Sequence, residues 1–222
     1  MKKLEVVNII KQINHKTILS GTSLTIEKGS IHVIEGKSGS GKSTLLSIIG
    51  GMEKPTRGTV LFGGKDIYSL SDSEQSNIRS KDFGFVFQTF HLLLEMTARQ
   101  NILLPTQLNR GTEDFMSIDE LAQELEITEV LDKKAMYLSG GEQQRVAIGR
   151  AIVTNPSFIF ADEPTGNLDV KTSAKIMDLL LQLNKSKDMA LVIVTHQQNL
   201  IEKPHIKYQM EDGHLRVEMT YD

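Results

Sequence analysis

A glycine-rich segment in the first fifth of the chain has the residue types and spacing of a phosphate-binding loop. Residues 36–44 are Gly-Lys-Ser-Gly-Ser-Gly-Lys-Ser-Thr, which fits G-x-x-x-x-G-K-[ST]. The segment lies between the apolar run Ile31–Ile34, typical of a buried strand, and a helical pattern, so its N–H groups would face an anion at a helix N terminus. Lys42 would bridge two phosphates and Ser43 would offer its hydroxyl to Mg²⁺. The alternative is a glycine-rich turn that matches by chance. The predicted nucleotide-binding residues here are Gly36, Ser38, Gly39, Ser40, Gly41, Lys42, Ser43 and Thr44.

Two adjacent carboxylates follow a second apolar run. Phe158–Ala161 predicts a buried strand, and Asp162 and Glu163 come directly after it. In open α/β sheets, ligands gather at the carboxyl ends of the strands. Asp162 is therefore a candidate Mg²⁺ ligand, and Glu163 a candidate general base that polarises an attacking water. The alternative is a solvated turn before Pro164, and the phosphate loop predicted in the same sheet favours the functional interpretation.

A third segment could present an anion-binding helix end. Residues 138–145 are Leu-Ser-Gly-Gly-Glu-Gln-Gln-Arg, in which Ser139, Gly140 and Gly141 could begin a helix whose first N–H groups face outward. Ser139 could equally be an ordinary N-cap. The two interpretations are compatible, because a cap that faces solvent is also an anion site.

The elements that must position these residues indicate an α/β fold. Between the strands predicted at 158–161 and 190–194 lies a helix with apolar residues on one face, which implies a parallel sheet with right-handed crossovers. Further short strands are predicted at 24–26, 60–62 and 83–87. From Gln88 to Asn155 the pattern is helical, and Ser117–Glu120 has the spacing of a capping box.

Composition excludes several classes of protein. The chain has 222 residues, a net charge of −3 and no cysteine, which argues against non-specific nucleic-acid binding, disulfides and cysteine-ligated zinc. No run approaches the roughly 18 apolar residues that a membrane span needs, and the first residues do not resemble a signal peptide. If the protein acts at a membrane, we expect another chain to supply the membrane-spanning part.

The order of the motifs resembles that of the ATP-binding-cassette (ABC) ATPases over essentially the whole chain. After the phosphate loop, Gln88 follows the predicted strand Phe83–Phe87 and is similar to the Q-loop glutamine. Leu138–Arg145 resembles the signature motif, and the acidic strand comes next. Asn167–Asp169 matches the D-loop, and His196 resembles the switch histidine that contacts the γ-phosphate.

That resemblance implies a fold and a set of partners. The fold would be a P-loop NTPase (RecA-like) core with an antiparallel β subdomain and an inserted α-helical subdomain, in one domain over residues 1–222. Residues 1–87 and 157–222 would form the core and β lobe, and 88–156 the helical subdomain. Two cassettes, identical or different, would pack head to tail around two ATP molecules. No nucleic-acid partner is expected.

The resemblance also implies roles for single residues, with ATP and Mg²⁺ as ligands. Catalysis would use Lys42, Gln88, Glu163 and His196. The Mg²⁺ shell would include Ser43, Gln88 and Asp162. Nucleotide held by the partner cassette would be contacted by Ser139, Gly140, Gly141 and Asp169.

Within the family, the sequence is similar to the subgroup of lipoprotein-release, macrolide-efflux, antimicrobial-peptide-resistance and cell-division ATPases. This likeness implies a bacterial protein, peripheral on the cytoplasmic face of the cell membrane, that drives a separate permease in export or force transmission. The alternative is a cell-division type that regulates a membrane partner without transport. The apolar cluster Phe90, Leu92, Leu93, Leu94 and Met96 would be partly core and partly a groove for a permease helix.

One departure from the family concerns the adenine base. Many relatives stack it on an aromatic residue about six positions before a leucine like Leu19, which here is near Ile13. No aromatic residue is close, so aliphatic packing or His15 would hold the base. The sequence also argues against other P-loop proteins, because there is no coiled-coil insertion or second cassette, and a small kinase would have no use for the signature or His196.

Overall fold

A computed structural model describes residues 2–108, 115–197, 201, 203 and 205–220. The strands are β1 (Lys3–Ile13), β2 (Lys16–Glu27), β3 (Ile31–Gly36), β4 (Arg57–Phe62), β5 (Lys65–Asp66), β6 (Phe83–Phe87), β7 (Phe158–Asp162), β8 (Ala190–Thr195), β9 (Ile206–Glu211) and β10 (His214–Thr220). The α-helices are α1 (Lys42–Ile49), α2 (Asp72–Asp82), α3 (Ala98–Leu108), α4 (Ile118–Glu124), α5 (Gly140–Ile152) and α6 (Val170–Lys187). None of these helices is long and apolar enough to cross a bilayer, a finding that covers only the residues just given.

The strands form two sheets. A four-stranded antiparallel sheet has the order β2-β1-β4-β5, and a six-stranded sheet has the order β10-β9-β3-β8-β7-β6. In the larger sheet β9, β3, β8, β7 and β6 are parallel, and β10 pairs antiparallel with β9. The predicted parallel arrangement is thus present. The pair β9 and β10 lies in a stretch where the sequence pattern indicated no strand.

Alternate residues of the central strands enter two different apolar cores. Val33 and Ile193 pack with the helical side, where α3, α4, α5 and α6 lie, whereas Ile34 and Val192 pack with α1 and the antiparallel sheet. Because both faces are covered, β8 is almost continuously apolar, as expected for a buried parallel strand. In β3 the cover also buries two polar residues, His32 and Glu35. This double cover fixes the strands that end at the functional site.

The register of the parallel strands brings their carboxyl ends together. Phe87 at the end of β6 pairs with Asp162 at the end of β7, and Asp162 pairs with Val194 in β8. On the other side of β8, Thr195 pairs with Glu35 in β3. The residues that follow these four strands therefore meet at one edge of the sheet.

The helical middle differs in detail from the prediction. Residues 88–97 contain no helix, and the α-helices begin with α3. α4 begins after Ser117 as predicted, but the Ser117 side chain makes no capping hydrogen bond. The sequence prediction also missed α2, which has no buried residue and hence no apolar periodicity. The division of the chain at 87/88 and 156/157 stays a prediction.

Candidate functional site

A cleft of about 630 Å³ opens at the carboxyl edge of the parallel sheet. Its walls come from the ends of β3, β6, β7 and β8 and from the start of β2. The lining residues are Ile18, Ser38, Gly39, Gly41, Lys42, Ser43, Thr44, Gln88, Asp162, Glu163 and His196. The structure therefore brings the predicted catalytic and metal-binding residues into one cavity. Gly36 and Ser40, also predicted to bind nucleotide, are buried in the loop behind it.

The glycine-rich loop wraps around the ammonium group of Lys42. Lys42 is the first residue of α1 and is only 6% exposed. Its Nζ donates hydrogen bonds to the carbonyl oxygens of Gly36, at 2.7 Å, and Lys37, at 3.0 Å. A buried ammonium and the N terminus of α1 thus give this end of the cleft a positive potential, which suits phosphate oxygens.

A hydroxyl and a carboxylate face each other beside Lys42. Ser43 Oγ donates to Asp162 Oδ1 at 3.0 Å. Burial raises the pKa of the Asp162 carboxyl, neighbouring Glu163 raises it further, and the Ser43 hydrogen bond and Lys42 oppose that rise. Oxygen donors at this spacing fit Mg²⁺, which takes one or two protein oxygens and completes its shell with phosphates and water. Among the described residues, no group of three or more His, Cys, Asp or Glu side chains is arranged so that it could hold a metal ion by itself.

Glu163 is held by the neighbouring strand β8. Its backbone has φ +47°, a conformation that non-glycine residues seldom adopt, and its N–H donates to the Val194 carbonyl at 3.0 Å. Thr195 Oγ1 donates to Glu163 Oε2 at 3.2 Å, and His196 Nδ1 lies 2.9 Å from the same oxygen. The carboxylate is thereby fixed at the cleft wall with an imidazole beside it. Strained backbone of this kind concentrates at functional sites.

Gln88 is tied to the loop that follows Glu163. Gln88 Nε2 donates to Asn167 Oδ1 at 3.2 Å, and Asn167 Nδ2 donates to the Gln88 carbonyl at 2.9 Å. This pair of bonds joins β6 to the loop after β7. With its amide nitrogen used in this way, Gln88 keeps its amide oxygen available as an acceptor or ligand.

The remaining predicted residues form a separate surface and do not line the cleft. Ser139 caps α5 in a capping box with Glu142, and Ser139 and Gly140 are exposed. Asp169 caps α6 and accepts hydrogen bonds from Thr172 N at 3.0 Å and Thr172 Oγ1 at 2.6 Å, which lower its pKa. The two helix starts lie together, since a side chain on Gly141 would meet Thr172 Cγ2 at 2.8 Å.

The sequence analysis assigned no role to four residues at or near the site, although two of them, Asn167 and Gln144, lie within the D-loop and signature segments. Thr195 and Asn167 position Glu163 and Gln88, and Ile18 lines the cleft, whereas Ile13, the position flagged for the base, does not. The fourth, Gln144, is fully buried in α5 and donates to the Pro164 carbonyl at 2.6 Å. Only a knowledge of strand order and helix packing could have identified them, because each acts through a neighbour distant in sequence.

The cleft and the sheet together define a P-loop nucleotide hydrolase, and comparisons with known proteins narrow this class. Residues 19–166 match the family described as ABC transporter. The lipoprotein-releasing system ATP-binding protein LolD of Alcanivorax borkumensis is 42% identical over 205 residues, which cover 91% of this chain and 90% of that protein. LolD of Aquifex aeolicus is 42% identical over 219 residues, with 98% and 97% coverage.

A solved structure agrees with these relatives. The dimeric post-hydrolysis state of the ATP-binding cassette MJ0796, bound to ADP and Pi, matches with a TM-score of 0.84 at 38% identity, covering 98% of this chain and 97% of that one. The chain belongs to the ABC transporter ATPase family. The predicted family, fold class, nucleotide binding and ATPase activity are thereby confirmed.

Proposed function

We propose that the chain hydrolyses Mg²⁺-bound ATP in a head-to-tail dimer of cassettes and so drives a separate permease at the cytoplasmic face of a bacterial membrane. The observation that carries this proposal is the separation of the site into two surfaces. One is the cleft that holds Lys42, Asp162 and Glu163. The other is the exposed helix start at Ser139, which lies outside that cleft. A second copy of the chain would bring the two surfaces together.

In the proposed mechanism the cleft binds the triphosphate through backbone and charge. The loop N–H groups and Lys42 hold the phosphates, and Lys42 exchanges the carbonyl oxygens of Gly36 and Lys37 for phosphate oxygens. Ser43, Asp162 and Gln88 would hold the Mg²⁺ ion. When bound, the ion would neutralise part of the phosphate charge.

Hydrolysis would be carried by the side chains fixed on β7 and β8. Glu163 accepts a proton from the attacking water. Its Oε2 lies 2.9 Å from His196 Nδ1, so base and imidazole stand side by side at the cleft. His196 is half exposed toward the cleft and stabilises charge on the γ-phosphate. Thr195 keeps the carboxylate in place through its hydrogen bond of 3.2 Å.

The partner cassette completes the site. The N terminus of α5, with Ser139, Gly140 and Gly141, leaves its first N–H groups outside the intrahelical hydrogen-bonding pattern. These groups bind the γ-phosphate of ATP held by the other cassette, while Asp169 lies on the same face. Two bound ATP molecules join the cassettes, and hydrolysis separates them. The dimer is a homodimer or pairs this chain with a second cassette.

An exposed apolar surface suits contact with the membrane subunit. Leu93 and Leu94 are 48% and 53% exposed, and Tyr137 just before the signature is 73% exposed. Met136 N donates to the Leu94 carbonyl at 3.1 Å, so the two stretches adjoin. By contrast Leu92 packs against the helical core. Given its likeness to LolD, we propose that the permease extracts or exports a lipid-linked or amphiphilic substrate.

The substitution Glu163→Gln tests the dimer mechanism. We expect it to bind ATP, to form a dimer that persists in saturating Mg²⁺-ATP, and to turn over at least 100-fold more slowly, as the general base contributes about 10²–10⁴-fold. Sedimentation and phosphate release measure both properties. The exposed Glu129→Gln serves as the matched control and should hydrolyse ATP like the parent chain. A Glu163→Gln protein that stays monomeric in saturating ATP contradicts the proposal.

A further inference from the structure

The turn between β9 and β10 lies directly behind the phosphate-binding loop. Gly213 N in this turn donates to the Ser40 carbonyl at 3.2 Å, and the Gly213 carbonyl accepts from Ser20 N at 2.9 Å. One residue thus connects the phosphate loop to the first residues of β2. That part of β2 contains Ile18, whose side chain lines the nucleotide cleft.

The contact requires a glycine at position 213. Its φ is +77°, a left-handed value that disfavours residues with a Cβ atom. A Cβ there would also meet the Ile18 carbonyl oxygen well inside 3.0 Å, a separation that real Cβ atoms do not show. Since Ile18 O is a backbone atom, the collision could be relieved only by moving β2 or the turn.

The neighbouring strand β9 packs against the same loop. Gly36, the first loop residue, pairs with Met210 across the parallel ladder. A Cβ on Gly41 would meet Met210 Cε at 3.1 Å and Ile18 O at 2.9 Å. The phosphate loop, the start of β2 and the hairpin β9–β10 therefore form one close-packed unit in which each part limits the position of the other two.

We propose that the β9–β10 turn is a positioning element for the nucleotide, with Gly213 as its key residue. The turn sets the spacing between the phosphate loop and the part of the cleft wall that Ile18 forms. The part of the nucleotide beyond the phosphates would lie against that wall. Gly213 does not line the cleft, whereas Lys42 begins α1 and Glu163 and His196 follow β7 and β8 at the cleft wall. Its role belongs to binding and not to the chemical step. The inference rests on the proposed nucleotide site.

Two changes to the turn test this role in the full chain. Gly213→Ala introduces the Cβ, and a one-glycine insertion after Gly213 lengthens the turn without introducing a Cβ. The matched controls are Gly64→Ala and a one-glycine insertion after Gly64. Gly64 also has a left-handed φ, +82°, but a Cβ there would meet nothing within 4 Å. Thermal unfolding identifies which variants fold.

We expect both Gly213 variants to weaken ATP binding about tenfold by calorimetry, which corresponds to about 1.4 kcal/mol, while the Gly64 variants bind like the parent chain. The KM for ATP should rise in the Gly213 variants, while kcat should stay within about twofold of the value for the parent chain. Inorganic tripolyphosphate has no sugar or base to reach Ile18, and its affinity should fall less than about threefold.

Provided that the parent chain binds ATP, any one of three results overturns the inference. These are an unchanged ATP affinity in the Gly213 variants, an equal loss of affinity in the Gly64 variants, and an equal loss of affinity for ATP and tripolyphosphate. Failure of the parent chain itself to bind ATP would instead contradict the proposed function. If Gly213→Ala does not fold, the insertion variant decides the question alone.

Discussion

The buried histidine of β3 makes the stability of this protein depend on pH. His32 has no solvent exposure, and its Nε2 lies 2.8 Å from Ser30 Oγ and its Nδ1 3.1 Å from Tyr208 OH. The two rings stack with centroids 5.8 Å apart. Burial lowers the pKa of His32 from 6.5 to about 4, because the charged imidazolium is poorly solvated there.

The sign and size of the effect follow from this lowered pKa. As pH falls below 6.5, the unfolded chain binds a proton at His32 that the folded chain does not yet bind, so folding loses stability. The stabilisation is complete above pH 6.5 and is lost as the pH falls toward about 4. At about 1.36 kcal/mol per pH unit the full loss is roughly 3 kcal/mol, of which about 2 kcal/mol is lost by pH 5.

Urea denaturation at pH 7.5 and pH 5, without nucleotide, measures this loss. Carboxylates and other histidines also titrate in that interval, so the informative quantity is the difference between the parent chain and His32→Gln. We expect the parent chain to lose about 2 kcal/mol more than His32→Gln, whose side chain does not titrate. The exposed His214→Gln should behave like the parent chain. Equal losses in the parent chain and His32→Gln would refute the reasoning.

Three further predictions concern function. ATP and GTP should bind with Kd values within about tenfold, because the described lining of the cleft includes Ile18 but no Phe, Tyr or Trp to stack on the base, a contact worth about 0.5–1.5 kcal/mol. A stronger preference for ATP in calorimetry would count against this. Leu93→Glu should abolish transport by the reconstituted permease complex while ATPase activity and melting temperature stay unchanged. Leu92→Glu, whose parent side chain packs against the helical core, should lower the melting temperature. Unfolding of Leu93→Glu would contradict its surface role. Thr195→Val removes a hydrogen bond to the Glu163 carboxylate and should lower kcat about tenfold with KM unchanged in steady-state assays, and an unaltered kcat would exclude a positioning role.

The parts of the site that the sequence could predict are those encoded by local spacing. Four of the site residues stand at or just after the end of a short apolar strand: Lys42, Ser43, Asp162 and Glu163. Because strands and helices alternate along the chain, these strands are parallel, and the residues at their carboxyl ends meet at one edge of the sheet. The same logic predicted α1 and α6, whose apolar residues recur at helical spacing. In these cases local pattern and tertiary position agree.

The parts that could not be predicted depend on which elements become neighbours. Ile18 lines the cleft only because β2 passes behind the phosphate loop, a contact that Gly213 maintains from the opposite end of the chain. Helix α2 buries no residue, so apolar periodicity could not reveal it, although Ser71–Glu74 has the local spacing of a capping box. The roles of Ser139 and Asp169 rest on the family resemblance and stay predictions, since neither side chain reaches the cleft.

The buried Gln144 has a consequence for how two cassettes would communicate. It lies one turn from the start of α5, the end that faces the partner's nucleotide in the proposed dimer, and its amide is bonded to the peptide carbonyl of Pro164, the residue after Glu163. Its Oε1 has no hydrogen-bond partner among the described residues, so the side-chain amide is held only through its nitrogen. In the proposed dimer, a displacement of α5 by the neighbour's ATP would pull through this buried amide on the Pro164 carbonyl, next to Glu163.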